Sequence, residues 1–292
     1  MLFRSMEIHR LNKLTHQSND RVFTHLASAL RINRAGDDAS GLAVSEKMRS
    51  QARGLNRAAE NTQDGISMIQ AADGYLSDST DVLQRIRELA VAASNGVYTS
   101  EDRFQIQVEV SQLIDELDRI TSQAQFNAVN LFTGKFAAAD TESNNINGSM
   151  WFHIGANMDQ RERVYIGTMS AKALGLRDKN SGKLLEIGTQ DKANAAIGSL
   201  DNALKRMIKQ RAHLGVTQNK LEARTKGILS SFENITHAES RIRDADMAKE
   251  TTDFVTNNTL ISGSTTLLAK SHQIRKDVVQ RMVLERSSKT VN

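Results

Sequence analysis

The chain has 292 residues, a formal net charge of +4, 4% aromatic and 25% charged residues, and neither proline nor cysteine. Without cysteine there is no disulfide, thiolate metal site or cysteine nucleophile. Scarce aromatics argue against a compact enzyme core, and the missing proline favours long helices packed side by side. The basic balance alone admits nucleic acid, but Lys and Arg interleave with acids along helix faces, so no nucleic-acid partner is expected. No apolar run is long enough to span a bilayer, so no membrane insertion is expected. Met1 to Leu14 carries Arg4, Glu7, Arg10 and Lys13 without an apolar core, unlike a Sec-type signal peptide.

In chain order, residues 1 to 30 are loosely amphipathic. Leu11, Leu14, Phe23, Leu26 and Leu30 recur at helical spacing, which predicts a helix that needs a partner. Residues 31 to 41 (RINRAGDDASG) break that pattern. Asp37, Asp38 and Ser40 suit the N-cap of a following helix, so this stretch reads as a bend between two helices.

A seam with steps of three and four then runs Leu55, Ala58, Thr62, Gly65, Ile69, Ala72, Leu76, Ser79, Leu83, Ile86, Ala90, Ala93. Its many small residues would let another helix approach closely. The Asn95-Gly96 pair predicts its end. Ser100 is read as the N-cap of the next helix, with Glu101 and Asp102 in its first turn and a seam of Ile106, Val110, Leu113, Leu117, Ile120 and Ala124. The short connection makes this helix an antiparallel neighbour of the one before.

From Phe126 the spacing fails. Residues 131 to 190 are read as a small β-hairpin region. Its strand-like runs are Met150 to Ile154, Val164 to Met169 and Leu184 to Ile187, with Trp151 anchoring the packing and residues 137 to 149 as an exposed loop.

Residues 193 to 243 carry the longest seam: Ile197, Leu200, Leu204, Met207, Arg211, Leu214, Gln218, Leu221, Thr225, Ile228, Phe232, Ile235, Glu239, Ile242. Its unbroken alternation of three and four is the heptad signature of a helix burying one narrow stripe. Fifty residues at 1.5 Å each make roughly 75 Å of helix. After a register break at Asp244-Ala245-Asp246-Met247, Phe254, Leu260, Ile261, Leu267, Leu268, Ile274, Val278 and Met282 predict a final amphipathic helix with a basic end. The fold class is therefore mainly α: a long antiparallel coiled-coil helix bundle with a small β-hairpin region. Terminal helices with exposed stripes imply contacts with other chains, and where such contacts do not close they give a filament.

No catalytic or cofactor constellation emerges. Asp244, Asp246 and Glu250 lack the ligand number and central glycine of an EF-hand and read as a solvated, capping, salt-bridging turn. His153 has no metal-ligand companion. Asp37 and Asp38 have no accompanying base. Phosphate-loop, nucleophile-elbow and dinucleotide fingerprints are missing. Three N-x-S/T triplets, at Asn147, Asn234 and Asn257, are too short to weigh.

Several segments do carry a resemblance. Arg31 to Ala43 (RINRAGDDASGLA) closely resembles the N-terminal signature of bacterial flagellins. Ala124-Gln125-Phe126-Asn127 with Asn130-Leu131-Phe132 resembles the family's QFNG and NLL segments. Gln84 to Ala92 is similar to its central helix, and Glu239 to Ala248 (ESRIRDADMA) to its C-terminal signature. Ser149 to Asn157 (SMWFHIGAN) is similar to the spirochaete core flagellins. Ala27-Ser28-Ala29-Leu30 stands where the family has SSGL.

The resemblance implies a structural, non-enzymatic subunit of the flagellar filament, without cofactor. Residues 1 to 36 and 251 to 292 would pair as the inner tube (D0), and residues 37 to 250, with the hairpin region, would form the layer around it (D1). The implied polymerisation contacts are Leu26, Leu30, Arg31, Asn33, Asp37, Asp38, Leu260, Leu267 and Leu268. The family's helix around Arg85, Leu89 and Glu109 is where an innate immune receptor recognises many flagellins. Implied partners are further copies in a helical filament, a flagellar export chaperone, sheath proteins and hook-junction proteins. The implied route is flagellar type III export, ending in the periplasm for a spirochaete and outside the cell otherwise. The alternative within the family is a minor flagellin or hook-filament junction protein. Outside it stand a nucleic-acid-binding coiled coil, which steep salt-sensitive DNA retention would reveal, and a metalloenzyme at His153, which chelation would test.

Overall fold

A computed structural model describes residues 2–137, 149–177 and 183–289. The order is α1 (Leu2–Ser28), α2 (Ala39–Ser94), α3 (Ser100–Gln123), β1 (Gln125–Phe126), β2 (Val129–Asn130), β3 (Met150–His153), β4 (Arg161–Val164), α4 (Ala171–Leu174), α5 (Gln190–Arg243) and α6 (Met247–Lys289). The chain divides into two compact units, residues 1–50 with 234–292, and residues 51–233. The expected loop at 137 to 149, with its Asn147 triplet, falls almost wholly outside the described residues.

In the unit of residues 51–233, α3 and α5 both run antiparallel to α2. Arg85 of α2 reaches Glu109 of α3 at 3.0 Å. Arg87 meets Asp201 of α5 at 2.7 Å, and Asp73 meets Arg211 at 2.9 Å. All twelve positions of the α2 seam are buried. The α5 seam divides into two heptad series. Leu200, Met207, Leu214, Leu221 and Ile228 are buried, while Ile197, Leu204, Arg211, Gln218 and Thr225 are half-buried.

The α3 stripe differs from expectation. The buried line is Val110, Ile114, Leu117, Thr121 and Ala124, and Ile106, Leu113 and Ile120 flank it half-buried. Both lines obey the same spacing, so only packing against α2 chooses between them. The N-cap is Thr99, not Ser100. Its hydroxyl accepts from Asp102 N at 3.2 Å, and the Asp102 carboxylate accepts from Thr99 N at 2.9 Å, a reciprocal capping box. Arg103 closes the α2–α3 turn by donating to the carbonyls of Ala93 (2.8 Å) and Asn95 (3.0 Å).

After α3 the chain makes a tight two-residue hairpin between β1 and β2 that the sequence reading missed. Asn127 and Ala128 both adopt positive φ, 48° and 61°. That geometry suits Asn and Gly and strains an alanine. Beyond it Leu131 and Phe132 enter the core.

The larger hairpin pairs β3 with β4, Met150 opposite Val164 and Trp151 opposite Arg163. The first strand is where expected. The second is Arg161–Val164, not Val164 to Met169, and Leu184 makes only an isolated bridge to Arg177. The short α4, capped by Ser170, was not expected. Phe152, not Trp151, anchors the hairpin. Its ring lies where a Cβ on Gly65 would come within 3.2 Å, and Leu221 of α5 lies 3.4 Å from the same point, so the small seam residue Gly65 admits an aromatic ring beside the neighbouring helix. A Cβ on Gly54 would likewise sit 2.9 Å from Ala156.

In the unit of residues 1–50 and 234–292, α1 and α6 run antiparallel. Arg243, 8% exposed, holds Glu46 at 2.7 Å, and Arg49 holds Glu239 at 3.3 Å, tying the start of α2 to the end of α5.

Candidate assembly surface

The bend between α1 and α2 is built from its own polar side chains. α1 ends on Ala29, held at φ 57°. Asn33 donates its side-chain amide to Ser28 Oγ at 2.7 Å. Asp37 accepts from the backbone N–H groups of Arg34 (2.9 Å) and Asn33 (3.1 Å). Asp38 caps α2 by accepting from Gly41 N at 2.9 Å and Ser40 Oγ at 2.8 Å. These donors favour the charged carboxylates, so both are held below the usual carboxylate range, Asp37 chiefly by Arg34 N–H and Asp38 by Gly41 N–H. Arg31 donates its backbone N–H to Arg243 O at 2.7 Å and its guanidinium to Ile242 O at 2.5 Å. Four expected contact residues, Arg31, Asn33, Asp37 and Asp38, therefore have local work in fixing the bend.

Asp244, Asp246 and Glu250 form the anticipated capping turn. Asp246 accepts from Ala248 N (3.0 Å) and Lys249 N (3.2 Å), and Glu250 pairs with His25 at 3.1 Å. Ala245 N donates to Ala29 O at 3.0 Å, and Leu30, half-buried, bridges to Asp244.

The α1–α6 pair meets along a seam that shares only Leu26, Phe254, Ile261 and Leu268 with the apolar stripes the sequence suggests. On α1 the covered positions are Ile8, Asn12, Thr15, Asn19, Val22 and Leu26. On α6 they are Phe254, Asn257, Ile261, Ser264, Leu268, Ser271 and Arg275. Both keep the three-four spacing, yet half the positions are polar. Asn19 donates to Asn258 Oδ1 and Asn257 to Ser18 Oγ, each at 3.3 Å, and Phe23 lies 6.4 Å from Phe254 between ring centroids. The register these contacts set carries Ile8 level with Leu268. The side-chain oxygens of Asn12 and Asn19 are buried without a partner among the described residues, a cost that weakens the pair.

A second set of apolar residues lies outside this seam. Leu11, Leu14 and Phe23 are exposed on α1. On α6, Leu260 and Leu267 are 56% and 60% exposed, and Ile274, seven residues further on, continues the line. Of the expected apolar contacts, Leu26 and Leu268 belong to the intrachain seam, while Leu260 and Leu267 face outward. Leu11, Leu14, Phe23 and Ile274 were legible as apolar periodicity but not as an outward face, because each helix carries two interleaved lines.

Arg85 and Glu109 come together on the surface of the other unit, with Glu88 3.4 Å from the same guanidinium. Leu89, 8% exposed, lies in the core beneath them. His153 is an exposed strand residue whose carbonyl accepts from Asn61 at 3.2 Å. No group of three or more His, Cys, Asp or Glu that could hold a metal occurs among the described residues.

Together these features define a class: a long-helix protein whose terminal pair is held by a partly polar seam and presents apolar lines outward. The chain matches the bacterial flagellin N-terminal helical region over residues 2–137 and the bacterial flagellin C-terminal helical region over residues 197–282. It is 57% identical over 265 residues to the flagellar filament 33 kDa core protein of Treponema phagedenis, covering 91% of this chain and 92% of that protein. It is 56% identical over 265 residues, with the same coverages, to flagellin FlaB2 of Treponema pallidum (strain Nichols). With the flagellin of Bacillus subtilis (strain 168) the identity is 40% over 297 residues, covering 94% and 96%. The chain belongs to the bacterial flagellin family. Its greater identity to the Treponema proteins agrees with the spirochaete-like segment at Ser149 to Asn157.

Proposed function

We propose that this chain is a structural subunit that polymerises into the core of a bacterial flagellar filament and serves motility. The observation that carries this reading is the outward line Leu260, Leu267 and Ile274, which α1 does not cover. Each such side chain, once buried by a neighbouring copy, contributes roughly 1.5–3 kcal/mol. Residues 1 to 36 and 251 to 292 act as the inner tube and residues 37 to 250 as the layer around it. The inner contacts between copies are made by Leu11, Leu14, Phe23, Leu260, Leu267 and Ile274. Leu26, Leu30 and Leu268 support them from the intrachain seam, and Arg31, Asn33, Asp37 and Asp38 hold the bend that orients α1. Similarity to Treponema filament core proteins favours this reading over a junction protein.

Before assembly an export chaperone covers the outward line of α6, and the chain leaves by the flagellar type III route into the periplasm, where sheath proteins surround the filament. Arg85 and Glu109 offer the receptor-facing surface, with Leu89 setting helix spacing beneath them. Arg85→Asp is expected to lower receptor signalling without changing helicity. The assembly reading is tested with Leu267→Asp. Seeded protein should give filaments by electron microscopy, and the variant should stay monomeric with unchanged circular dichroism. Normal filaments from the variant would refute the contact.

A further inference from the structure

The β3–β4 hairpin alternates faces with period two. Met150, Phe152 and Val164 turn toward the core, and Glu162 on that side is held by Lys220 at 2.6 Å. The other face presents Trp151, His153, Arg161 and Arg163, all exposed. The Arg163 guanidinium carbon stands 4.1 Å from the Trp151 ring centroid, and that of Arg161 stands 4.6 Å away. Two cations around one indole repel each other, and only Arg161 has a carboxylate nearby, Asp159 at 2.8 Å. Among the described residues Arg163 has none.

A guanidinium stacked on an indole has its face occupied and its orientation fixed. Its in-plane N–H groups remain free in the fork geometry that matches a carboxylate. The support beneath is firm. Asn61 holds the His153 carbonyl, Lys220 holds Glu162, and Gly54 and Gly65 seat Ala156 and Phe152. A rigid, pre-oriented Arg–Trp pair loses little freedom on binding, and Trp and Arg are the residues that most often dominate protein interfaces.

We propose that the outer face of this hairpin docks an acidic protein surface, with Arg163 receiving a carboxylate and Trp151 providing the apolar platform. The partner is an acidic protein and not the same face of a second copy, because the guanidinium groups of Arg161 and Arg163 on one face repel that face of a copy while a carboxylate-bearing surface is complementary. The proposal rests on the hairpin alone and stands apart from the polymerisation reading.

Trp151 is the chain's single tryptophan, so its fluorescence reports this face directly. The full chain, kept monomeric at low salt, is titrated with poly-L-glutamate, and in parallel with inorganic phosphate and a DNA oligonucleotide. Poly-L-glutamate should change Trp151 emission saturably, and the response should weaken with added salt. Arg163→Gln should bind about tenfold more weakly, the weight of one charge-assisted contact. Arg163→Lys should fall nearly as far, since it keeps the charge without the planar fork. Lys270→Gln should leave the response unchanged. Circular dichroism confirms that each variant is folded. An absent response, a response that survives Arg163→Gln or Arg163→Lys, or an equal or stronger response to phosphate or DNA would overturn the proposal.

Discussion

The two units use one spacing rule with different residues. In the α2 seam every position from Leu55 to Ala93 is buried, and most are aliphatic. In the α1–α6 pair the same alternation of three and four places Asn12, Thr15, Asn19, Asn257, Ser264 and Ser271 on the covered line. The first seam excludes water and supplies the hydrophobic driving force of a stable bundle. The second supplies alignment with little adhesion. Polar residues at heptad core positions specify register at a cost in stability. The apolar side chains that could have strengthened the pair stand instead on its outside.

That contrast can be broken from either side. The largest effect is expected from Leu83→Ala, which cuts a cavity in the buried seam and should destabilise its unit by about 2–5 kcal/mol in denaturant unfolding. Removing both polar partners together, as Asn19→Leu with Asn258→Leu, should raise the melting temperature of the terminal pair. The expected gain is about 1–3 kcal/mol, the cost of a buried unsatisfied amide. A lowered melting temperature would show that the amides contribute more than alignment. Ala29→Gly and Ala128→Gly relieve left-handed alanines, at φ 57° and 61°. Each should stabilise by about 1 kcal/mol, less the entropy glycine adds to the unfolded chain.

The smallest effect is on pH dependence. Asp38 and Asp102 are held below the ordinary carboxylate range, Asp38 by Gly41 N–H and Asp102 by the Thr99 hydroxyl. A depressed carboxyl stabilises the fold above its unfolded pKa and loses that contribution as pH falls through the folded value. The two caps should therefore weaken progressively below about pH 4. Asp38→Asn should flatten the acid limb at the α1–α2 bend, and Asp102→Asn should flatten it at the α2–α3 turn. An unchanged acid profile in either variant would count against that cap.

Long helices and their ends were legible because apolar spacing and turn residues act locally. The α2 seam and its stop at Asn95-Gly96 follow from that. Which of two equivalent lines is buried did not follow. In α3 the choice of Ile114 over Leu113, and in α1 of Asn12 and Asn19 over Leu11 and Leu14, depends on where the partner helix lies. The strand Arg161–Val164 was missed because its outward residues are charged and its apolar content is a single valine. Trp151 reads as an anchor in the sequence because it is the largest apolar side chain there, yet the pleat turns it outward and gives that place to Phe152. The motif residues Arg31 to Asp38 were recognisable by resemblance, but their hydrogen bonding within the bend was not.

The contact between Asn19 and Asn258 joins positions 239 residues apart. On a growing chain made at about 5–20 residues per second, α1 waits on the order of ten to fifty seconds before α6 emerges. Half of its waiting surface toward α6 is amide and hydroxyl (Asn12, Thr15 and Asn19), which water solvates well, and that limits what the early helix can wrongly collapse onto. The unconventional seam is thus also a matter of timing: the last pairing to form is the one whose delay does least harm.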